Sequence, residues 1–358
     1  MSVIPSFPFS HESLVHLVRS SVPDDSGSLE GGSGRELDCA SKGPTACAVA
    51  IGAFDGVHEG HRQLITDCVR DAASNGLRSV VVTFDPDPSE VVSAGEAQKR
   101  LLSIEDRVRF VYGLGVDEVL VLPFTHELAS LEPQAFVDLL LQKIGPIRIA
   151  HVGENFHFGA RGAGDVATLV DCGKTRGFAV VSHSLLCKAD VTGAADQMVP
   201  VSSTSIRDLL SEGKVHEAAD LLGRCHFVRG SVVHGRGEGT SFGFPTANVS
   251  CDGRVCLPCE GVYACVVTNG QGAWPAAVNV GAPPSFAERS AGAPKAFLEA
   301  NLIGFNGDLY GCKLAVVFVE WLRASRPFSS LDELERVVLG NIEWVRQNIG
   351  DAGVEVGR

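Results

Sequence analysis

The segment from Ile51 to His61 combines small residues with two histidines at a spacing that suits phosphate chemistry. It reads IGAFDGVHEGH, so His58 and His61 stand three residues apart. On the first turn of a helix such residues share one face and lie next to the positive end of the helix dipole. Two imidazoles there can donate hydrogen bonds to phosphate oxygens and stabilise charge that grows on an α-phosphate and its leaving pyrophosphate. The pattern therefore predicts nucleotidyl transfer without a covalent intermediate on the protein.

A second segment, far along the chain, carries hydroxyl groups and a cation. It reads PVSSTSIRDLL from Pro200, and Ser203 and Thr204 are good residues for opening a short helix. Arg207, one turn further on, can reach the same anion as the histidines. Alone, this segment predicts only a capped helix. Together with the first motif, it predicts the second half of a triphosphate clamp.

Two further segments follow predicted strands and supply aromatic and polar groups. The run VGENFHFG contains Asn155, Phe156 and Phe158, and TFDPDP spans Thr83–Pro88. The phenyl rings can stack on a planar ligand and the amide can bond to ring edges or ribose, although an ordinary loop with core aromatics also fits. Ligands of open α/β sheets bind at the carboxyl edge, so we expect both segments to border the ligand.

The carboxyl-terminal part of the chain contains a second set of candidate residues. Gly235, Gly237 and Gly239 form a loop whose backbone amides can cradle phosphates, without the Gly-Lys-Ser/Thr of a Walker A loop. Thr246 and Asn248 place two hard oxygens on one side of an extended strand. That arrangement suits a Mg²⁺ ion that keeps its waters and bridges nucleotide phosphates.

Glu299 lies on another predicted strand, in FLEANLI. A carboxylate there can accept the proton of a primary alcohol as the alcohol attacks a γ-phosphate. A lone glutamate on a strand is equally consistent with a solvent-facing residue.

The elements that must position these groups change in character along the chain. Up to about Gly223, the buried-strand runs CAVAIGAF, SVVVTF, EVLVLPF, IRIAHVG and FAVVS alternate with helical stretches. This alternation predicts a Rossmann-like, doubly wound parallel sheet. Short β-rich runs punctuated by Gly, Pro and Asn then predict an antiparallel barrel or sandwich, and residues 330–349 predict a closing helix. We therefore expect a partly disordered extension at 1–45 and two domains at 46–222 and 223–350.

Composition narrows the class of protein. The chain has 358 residues and a formal net charge of −13, which disfavours nucleic-acid binding. No run of about 18 apolar residues predicts a membrane span, and the amino terminus lacks a signal-peptide pattern. The 11 cysteines are odd in number and irregular in spacing, so we expect reduced thiols in a cytoplasmic protein. Cys251, Cys256, Cys259 and Cys265 lack a second C-x-x-C or a His pair, so no structural zinc is expected.

The amino-terminal motifs together resemble the bacterial bifunctional riboflavin kinase/FMN adenylyltransferase family, also described as prokaryotic FAD synthetases. The family signatures G-x-F-D-G-x-H-x-G-H, T-F-(D/E)-P-x-P, G-x-(D/N)-F-x-F-G and S-S-T-x-I-R correspond to Gly52–His61, Thr83–Pro88, Gly153–Gly159 and Ser202–Arg207. One departure is Asp87, which adds negative charge where many relatives carry His or another residue. The resemblance implies catalytic roles for His58, His61 and Arg207; ATP binding by Gly52, Phe54, Asp55, Gly60, Ser203 and Thr204; and adenine or flavin binding by Pro86, Asn155, Phe156 and Phe158.

The carboxyl-terminal half resembles the flavokinase domain of the same family. GFPTAN appears intact at Gly243–Asn248, and GDLYG appears at Gly307–Gly311. The resemblance implies a six-stranded antiparallel barrel with a terminal helix. It also implies roles for these residues: Gly235, Gly237, Gly239, Thr246, Asn248 and Tyr310 in binding ATP, Thr246 and Asn248 in binding Mg²⁺, Glu299 as catalytic base, and Arg323 and Phe328 in binding flavin.

The implied activity is FAD synthesis in two ATP-dependent steps, riboflavin to FMN and FMN to FAD, with Mg²⁺ as cofactor. No nucleic-acid or membrane partner is expected. A weak homo-oligomer is compatible with this interpretation. Two departures motivate an alternative. The loop before GFPTAN carries Glu238, Thr240 and Ser241 where relatives carry Arg or Lys, and the turn from Gly281 to Phe286 lacks another Arg. In that alternative the protein is an FMN adenylyltransferase whose carboxyl domain binds flavin without turnover. A flavin or nucleotide sensor and a transferase for another phosphorylated substrate are the remaining hypotheses.

Overall fold

The computed structural model forms two compact units. The sheet unit contains the described residues between 45 and 202, and the barrel unit contains those between 3 and 23 and from 203 onwards. The structure describes residues 3–23, 45–93, 97–189, 198–234, 246–281 and 296–356.

The sheet unit is built on five parallel strands in the order β3-β2-β1-β4-β5. All five residues of the central strand β1 are buried, so the sheet is covered on both faces at its centre. Chain order reverses direction between β1 and β4, which is the switch point where ligands of such sheets bind. The doubly wound prediction is confirmed. The strands are β1 Cys47–Ile51, β2 Arg78–Phe84, β3 Glu118–Leu122, β4 Ile147–Gly153 and β5 Ala179–His183.

Four helices of this unit, α2, α4, α6 and α7, lie in the helical stretches between the predicted strands, whereas the short helices α3 and α5 were not predicted. The first, α2, ends at Gly76, whose φ of 64° is the left-handed conformation that glycine adopts without strain. A short antiparallel pair, β6 Cys187–Ala189 and β7 Met198–Pro200, follows the sheet. The helices are α2 Glu59–Asn75, α3 Pro88–Val92, α4 Ile104–Tyr112, α5 His126–Ala129, α6 Pro133–Ile144 and α7 Val166–Arg176.

The barrel unit contains a closed antiparallel barrel. Its six strands run in the order β10-β13-β8-β9-β12-β11, and pairing of β10 with β11 closes the ring. Closure leaves no open edge between these strands, and the predicted six-stranded barrel is confirmed. The strands are β8 Phe227–Val233, β9 Ala247–Cys251, β10 Gly261–Thr268, β11 Gly272–Val280, β12 Ala296–Leu302 and β13 Lys313–Ala324; β14 Val354–Glu355 adds to β11. The helices are α8 Ser203–Ser211, α9 Val215–Leu222 and α10 Leu331–Asn348.

The amino-terminal segment belongs to the barrel unit. Residues His11–Ser21 form α1, which buries Leu14, Leu17 and Val18. The Ser21 hydroxyl accepts a hydrogen bond of 3.2 Å from the Cys225 N–H. The described part of the predicted extension is therefore a folded element, whereas residues 24–44 lie outside the described residues.

Seven of the ten cysteines in the described residues are buried and pack as small core residues. The ten cysteines in the described residues are free thiols, and burial raises the pKa of Cys251 to about 12. The Cys259 sulfur lies 3.5 Å from the Tyr263 hydroxyl. Over the described ranges, no group of three or more His, Cys, Asp or Glu side chains is arranged to hold a metal ion. No helix in those ranges combines the length and apolar character needed to cross a bilayer.

Candidate active sites

The turn between β1 and α2 has an unusual backbone. Phe54 and Val57 have φ angles of 52° and 40°, and Gly56 has a φ of 81°. Positive φ is unfavourable for bulky residues, so the surroundings must hold this turn. Gly52 leaves room for the Phe54 ring of this turn, because a Cβ at position 52 would lie 3.0 Å from that ring.

A buried ion pair lies beneath this turn. Asp55 accepts hydrogen bonds from the N–H groups of Leu101 at 3.0 Å and Leu102 at 3.2 Å. Arg107 of α4 is 1% exposed, and one of its guanidinium nitrogens lies 3.6 Å from the Asp55 carboxylate. The sequence-based prediction placed Asp55 in the ATP site, and the structure directs its carboxylate to backbone and Arg107. Sequence reasoning missed Arg107, for which neither spacing nor motif provides a signal.

The two histidines meet at the start of α2. His58 is the N-cap residue, and its Nδ1 accepts a 3.4 Å hydrogen bond from the His61 N–H. The proton of neutral His58 must therefore be on Nε2, which leaves an N–H donor. The rings stack with centroids 3.5 Å apart and planes 19° apart. His58 thus precedes the first turn on which the sequence had suggested it would lie, and the pair is held by stacking.

Burial keeps His61 neutral. It lowers the pKa of His61 well below the ordinary value, and the charges of His58 and Arg107 lower it further. Phe54 lies edge-on to the His61 ring at a centroid distance of 5.2 Å. The His61 Nδ1 is buried and has no hydrogen-bond partner among the described residues. Neutral His61 and the His58 ring together provide imidazole groups at the positive end of α2.

Gly60 lies under the His58 ring. A Cβ at this position would be 3.4 Å from two atoms of that ring. A side chain there would press on the imidazole, so the glycine allows the stacked arrangement.

The Thr83–Pro88 segment follows β2 at the same edge of the sheet. Asp87 is the N-cap of α3 and forms a capping box with Glu90. Its negative charge is thus directed at the helix backbone. Asp85 pairs with Arg100 at 2.9 Å, and the half-buried Pro86 lies between the two aspartates.

The segment after β4 combines core and exposed residues. Phe158 is 6% exposed and belongs to the hydrophobic core, with its centroid 5.7 Å from that of Phe136. Phe156 is partly buried and stacks on Phe158 at 5.4 Å. Asn155 is exposed. The structure therefore brings the two rings together against the core and leaves the amide accessible at the carboxyl edge.

The predicted second half of the phosphate clamp lies on α8. Ser203 is the first residue of that helix, which buries Ile206 and Leu210. Thr204 is exposed and Arg207 is half-buried. All belong to the barrel unit, whereas His58 and His61 belong to the sheet unit. Their joint binding of one nucleotide stays a prediction.

The barrel brings three polar residues into register. Glu299 of β12 lies directly opposite Asn248 of β9 and opposite Asn279 of β11. Opposed residues of antiparallel strands project from the same face, so the carboxylate is flanked by two amides. The Asn279 Oδ1 accepts a 3.0 Å hydrogen bond from the Ser325 hydroxyl. Asn279 was missed as a site residue, because register between distant strands cannot be read from the sequence. The predicted loop glycines Gly235, Gly237 and Gly239 lie outside the described residues.

The oxygen donors near Glu299 fit a magnesium ion. Thr246 precedes β9 and Asn248 lies within it, so a hydroxyl and an amide oxygen are available beside a carboxylate, all half-buried. Hard oxygen donors suit Mg²⁺, which commonly takes only one or two protein ligands and completes its shell with water and phosphate. A dedicated cage of acidic residues is not required.

The predicted flavin residues lie together at the end of β13, with Arg323 in the strand and Phe328 just beyond it. The Arg323 guanidinium is 5.5 Å from the centroid of the Phe328 ring, and that of Arg326 is 5.0 Å from it. Burial, and then the charge of Arg326, lower the pKa of Arg323. Tyr310 is 55% exposed and stacks on His234 with centroids 3.8 Å apart. His234 immediately precedes Gly235, the first of the predicted loop glycines, in the chain.

Comparison with known protein families finds two matching family models in the chain. Residues 40–195 match the family model for FAD synthetase, and residues 222–349 match the model for riboflavin kinase. The two models together cover most of the chain and follow one another in order.

Curated proteins match over most of their length. The bifunctional riboflavin kinase/FMN adenylyltransferase of Escherichia coli strain K12 is 35% identical over 305 residues, which are 85% of this chain and 93% of that protein. The protein of the same description from Pseudomonas fluorescens is 36% identical over 300 residues, 84% and 92% of the two chains. Among solved structures, a macrolide-efflux protein from Streptococcus pneumoniae is similar with a TM-score of 0.73 and 29% identity, covering 85% of this chain and 95% of that one.

Proposed function

Since the chain belongs to the family of bifunctional riboflavin kinase/FMN adenylyltransferases, we propose that it makes FAD in two steps, one at each site. Riboflavin and ATP give FMN and ADP at the barrel. FMN and a second ATP give FAD and pyrophosphate at the parallel sheet. The observation that carries the proposal is the presence of both family domains, in order, over most of the chain.

At the sheet, an oxygen of the FMN phosphate attacks the α-phosphorus of ATP. The bond from that phosphorus to the oxygen bridging to the β-phosphate breaks, and pyrophosphate leaves. The His58 Nε2–H and the amino end of α2 stabilise the negative charge that grows on the phosphates. Burial holds His61 neutral, and a neutral imidazole keeps one ring N–H, which acts as a hydrogen-bond donor. Arg207 adds positive charge in this proposal.

At the barrel, the Glu299 carboxylate accepts the proton of the ribityl hydroxyl. The hydroxyl oxygen attacks the γ-phosphorus, the bond to the bridging oxygen breaks, and ADP leaves. Asn248, opposite Glu299, positions the nucleotide phosphates with Thr246. Mg²⁺, when bound with ATP at these oxygens, neutralises charge on the transferred group. Arg323 and Phe328 contact the flavin, and Tyr310 contacts the nucleotide.

The alternative, a barrel that binds flavin without turnover, rests on the altered loop before GFPTAN. Glu238, Thr240 and Ser241 replace the usual cations, and they lie outside the described residues. The register of Glu299 with Asn248 and the match to the riboflavin kinase model favour an active kinase.

The test is flavin chromatography of the purified protein with ATP and Mg²⁺, starting from riboflavin and, in parallel, from FMN. The proposal expects riboflavin to pass through FMN to FAD. Formation of FAD from FMN only, with riboflavin unchanged, would establish the alternative.

Two matched variants separate the sites. His58→Ala is expected to lower FAD formation from FMN by about 10²- to 10³-fold, as for loss of one transition-state donor, and to leave FMN formation unchanged. Glu299→Gln is expected to do the reverse. Equal loss of both activities in either variant would contradict the two-site assignment.

Location and domain limits are also proposals. We propose a cytoplasmic enzyme, because both reactions consume ATP and the described cysteines are all free thiols. For the domains we propose limits at 46–222 and 223–350, although compactness groups α8 and α9 with the barrel.

A further inference from the structure

Arg107 is the most completely buried cation near the β1–α2 turn, and the reaction outlined above does not use it. One guanidinium nitrogen, Nη1, donates to the Ala53 carbonyl at 2.8 Å and the Phe84 carbonyl at 3.2 Å. The same nitrogen lies 3.4 Å from the Thr83 hydroxyl. Ala53 lies two residues beyond the end of β1, and Phe84 is the last residue of β2. A single side chain therefore links the ends of these two neighbouring strands.

The second guanidinium nitrogen of Arg107, Nη2, connects the ends of β1 and β2 to a third segment. It lies 3.6 Å from Asp55, whose carboxylate accepts the N–H groups of Leu101 and Leu102 just before α4. Asp55 and Arg107 are 4% and 1% exposed, so water does not replace these contacts. The ends of β1 and β2 and the approach to α4 are therefore joined at one buried ion pair.

The contacts of Arg107 are made with the residues on either side of the strained part of the turn. Ala53 and Asp55 flank Phe54, whose φ is 52°, and Val57 with a φ of 40° precedes His58. Left-handed backbone at two bulky residues persists only where neighbouring groups over-determine it. Arg107 holds the carbonyl before Phe54 and pairs with the carboxylate after it. The orientation of His58, two residues beyond Gly56, follows from the shape of this turn.

We propose that Arg107 is a positioning residue for adenylyl transfer, holding the Phe54–Val57 turn so that His58 caps α2 and presents its Nε2–H to the nucleotide phosphates. The inference rests on the role proposed above for His58. Arg107 touches neither the nucleotide nor the flavin in this scheme. A hydrogen-bond donor that is displaced by a fraction of an ångström stabilises the transition state much less. Substitution of Arg107 should therefore lower kcat more than it changes KM.

The test uses Arg107→Met and Arg107→Lys in the full chain. Arg107→Met keeps the length of the side chain without the hydrogen bonds, and kcat for FAD formation is expected to fall about 10- to 100-fold with KM for ATP changing less than about threefold. Lysine restores a charge and one donor, so Arg107→Lys is expected to recover at least half of that loss on a logarithmic scale. Arg70→Met on the exposed side of α2, where the side chain is 66% exposed, is the matched control and should keep full activity.

A double-mutant cycle separates positioning from general support of the fold. If Arg107 acts through His58, Arg107→Met or Arg107→Lys should slow FAD formation little in the His58→Ala background, because the oriented donor is already gone. The same fold-loss in both backgrounds would overturn the proposal, as would wild-type kcat in Arg107→Met. If Arg107→Met does not fold, Arg107→Lys completes the cycle. Full activity of His58→Ala alone would instead refute the role of His58, and the two failures are thereby distinguished.

Discussion

Acid should destabilise the barrel unit through one buried histidine, His226. It is 1% exposed, and its Nε2–H donates a 2.8 Å hydrogen bond to the Cys256 carbonyl. Burial lowers the pKa of His226 from 6.5 to about 4; the bond to Cys256 opposes this shift and the charge of Arg224 adds to it. The folded protein therefore keeps this imidazole neutral in a pH range where the unfolded chain would protonate it.

The sign and size of the effect follow from linkage. A histidine with a depressed folded pKa contributes stability above its unfolded pKa, and this stability is lost as pH falls toward the folded pKa. Each pH unit in that window is worth about 1.4 kcal/mol. Between pH 6.5 and about 4, the free energy of unfolding should fall by about 3 kcal/mol because of His226.

The assay can be confined to the barrel unit, because all three tryptophans, Trp274, Trp321 and Trp344, lie in it. Denaturant unfolding followed by tryptophan fluorescence at several pH values measures the stability of that unit. His226→Gln keeps a donor for the Cys256 carbonyl but cannot titrate, so its loss of stability on acidification should be smaller by about 3 kcal/mol. His16→Gln, at an exposed position of α1, controls for removing a histidine. Parallel pH profiles for wild type and His226→Gln would refute the reasoning.

Three further predictions concern other sites. The pKa of His216 is raised by its 3.1 Å pair with Glu320. This pair therefore stabilises the folded state at pH values below the ordinary histidine pKa, and its contribution is lost as the pH rises through the raised pKa. Glu320→Gln should remove that pH dependence in the same fluorescence assay. Gly52→Ala should lower FAD formation by roughly tenfold, because its Cβ would press on the Phe54 ring at 3.0 Å, whereas Gly340→Ala, with nothing within 4 Å, should not; equal activities would exclude that packing role. Excess chelator should stop both FMN and FAD formation in the chromatographic assay, and persistence of FMN formation would argue against a metal at Thr246 and Asn248.

Local features of this protein could be predicted from its sequence. The five strands of the sheet were evident as short apolar runs, and the end of α2 at Gly76 was evident from Asn75-Gly76. These features depend on side-chain periodicity and on backbone conformations of adjacent residues, which act over a few positions. The family motifs also lie at strand ends, where spacing alone placed His58 and His61 next to a helix amino terminus.

Other features arise between residues that are far apart in the chain. Arg107 donates to the Ala53 carbonyl across 54 residues, and Glu299 meets Asn248 and Asn279 only because three strands pair in one register. The sequence likewise contained no signal that α1 would pack with the barrel unit.

The chemistry that the chain can carry is legible in its motifs, because the groups that bind phosphate and accept protons are contiguous or closely spaced within them. How those groups are held depends on the packing of the folded chain. Burial makes His61 neutral and His226 sensitive to acid, and it directs the Asp55 carboxylate to Arg107. Burial and register are properties of packing among distant segments, and periodicity within one segment does not encode them.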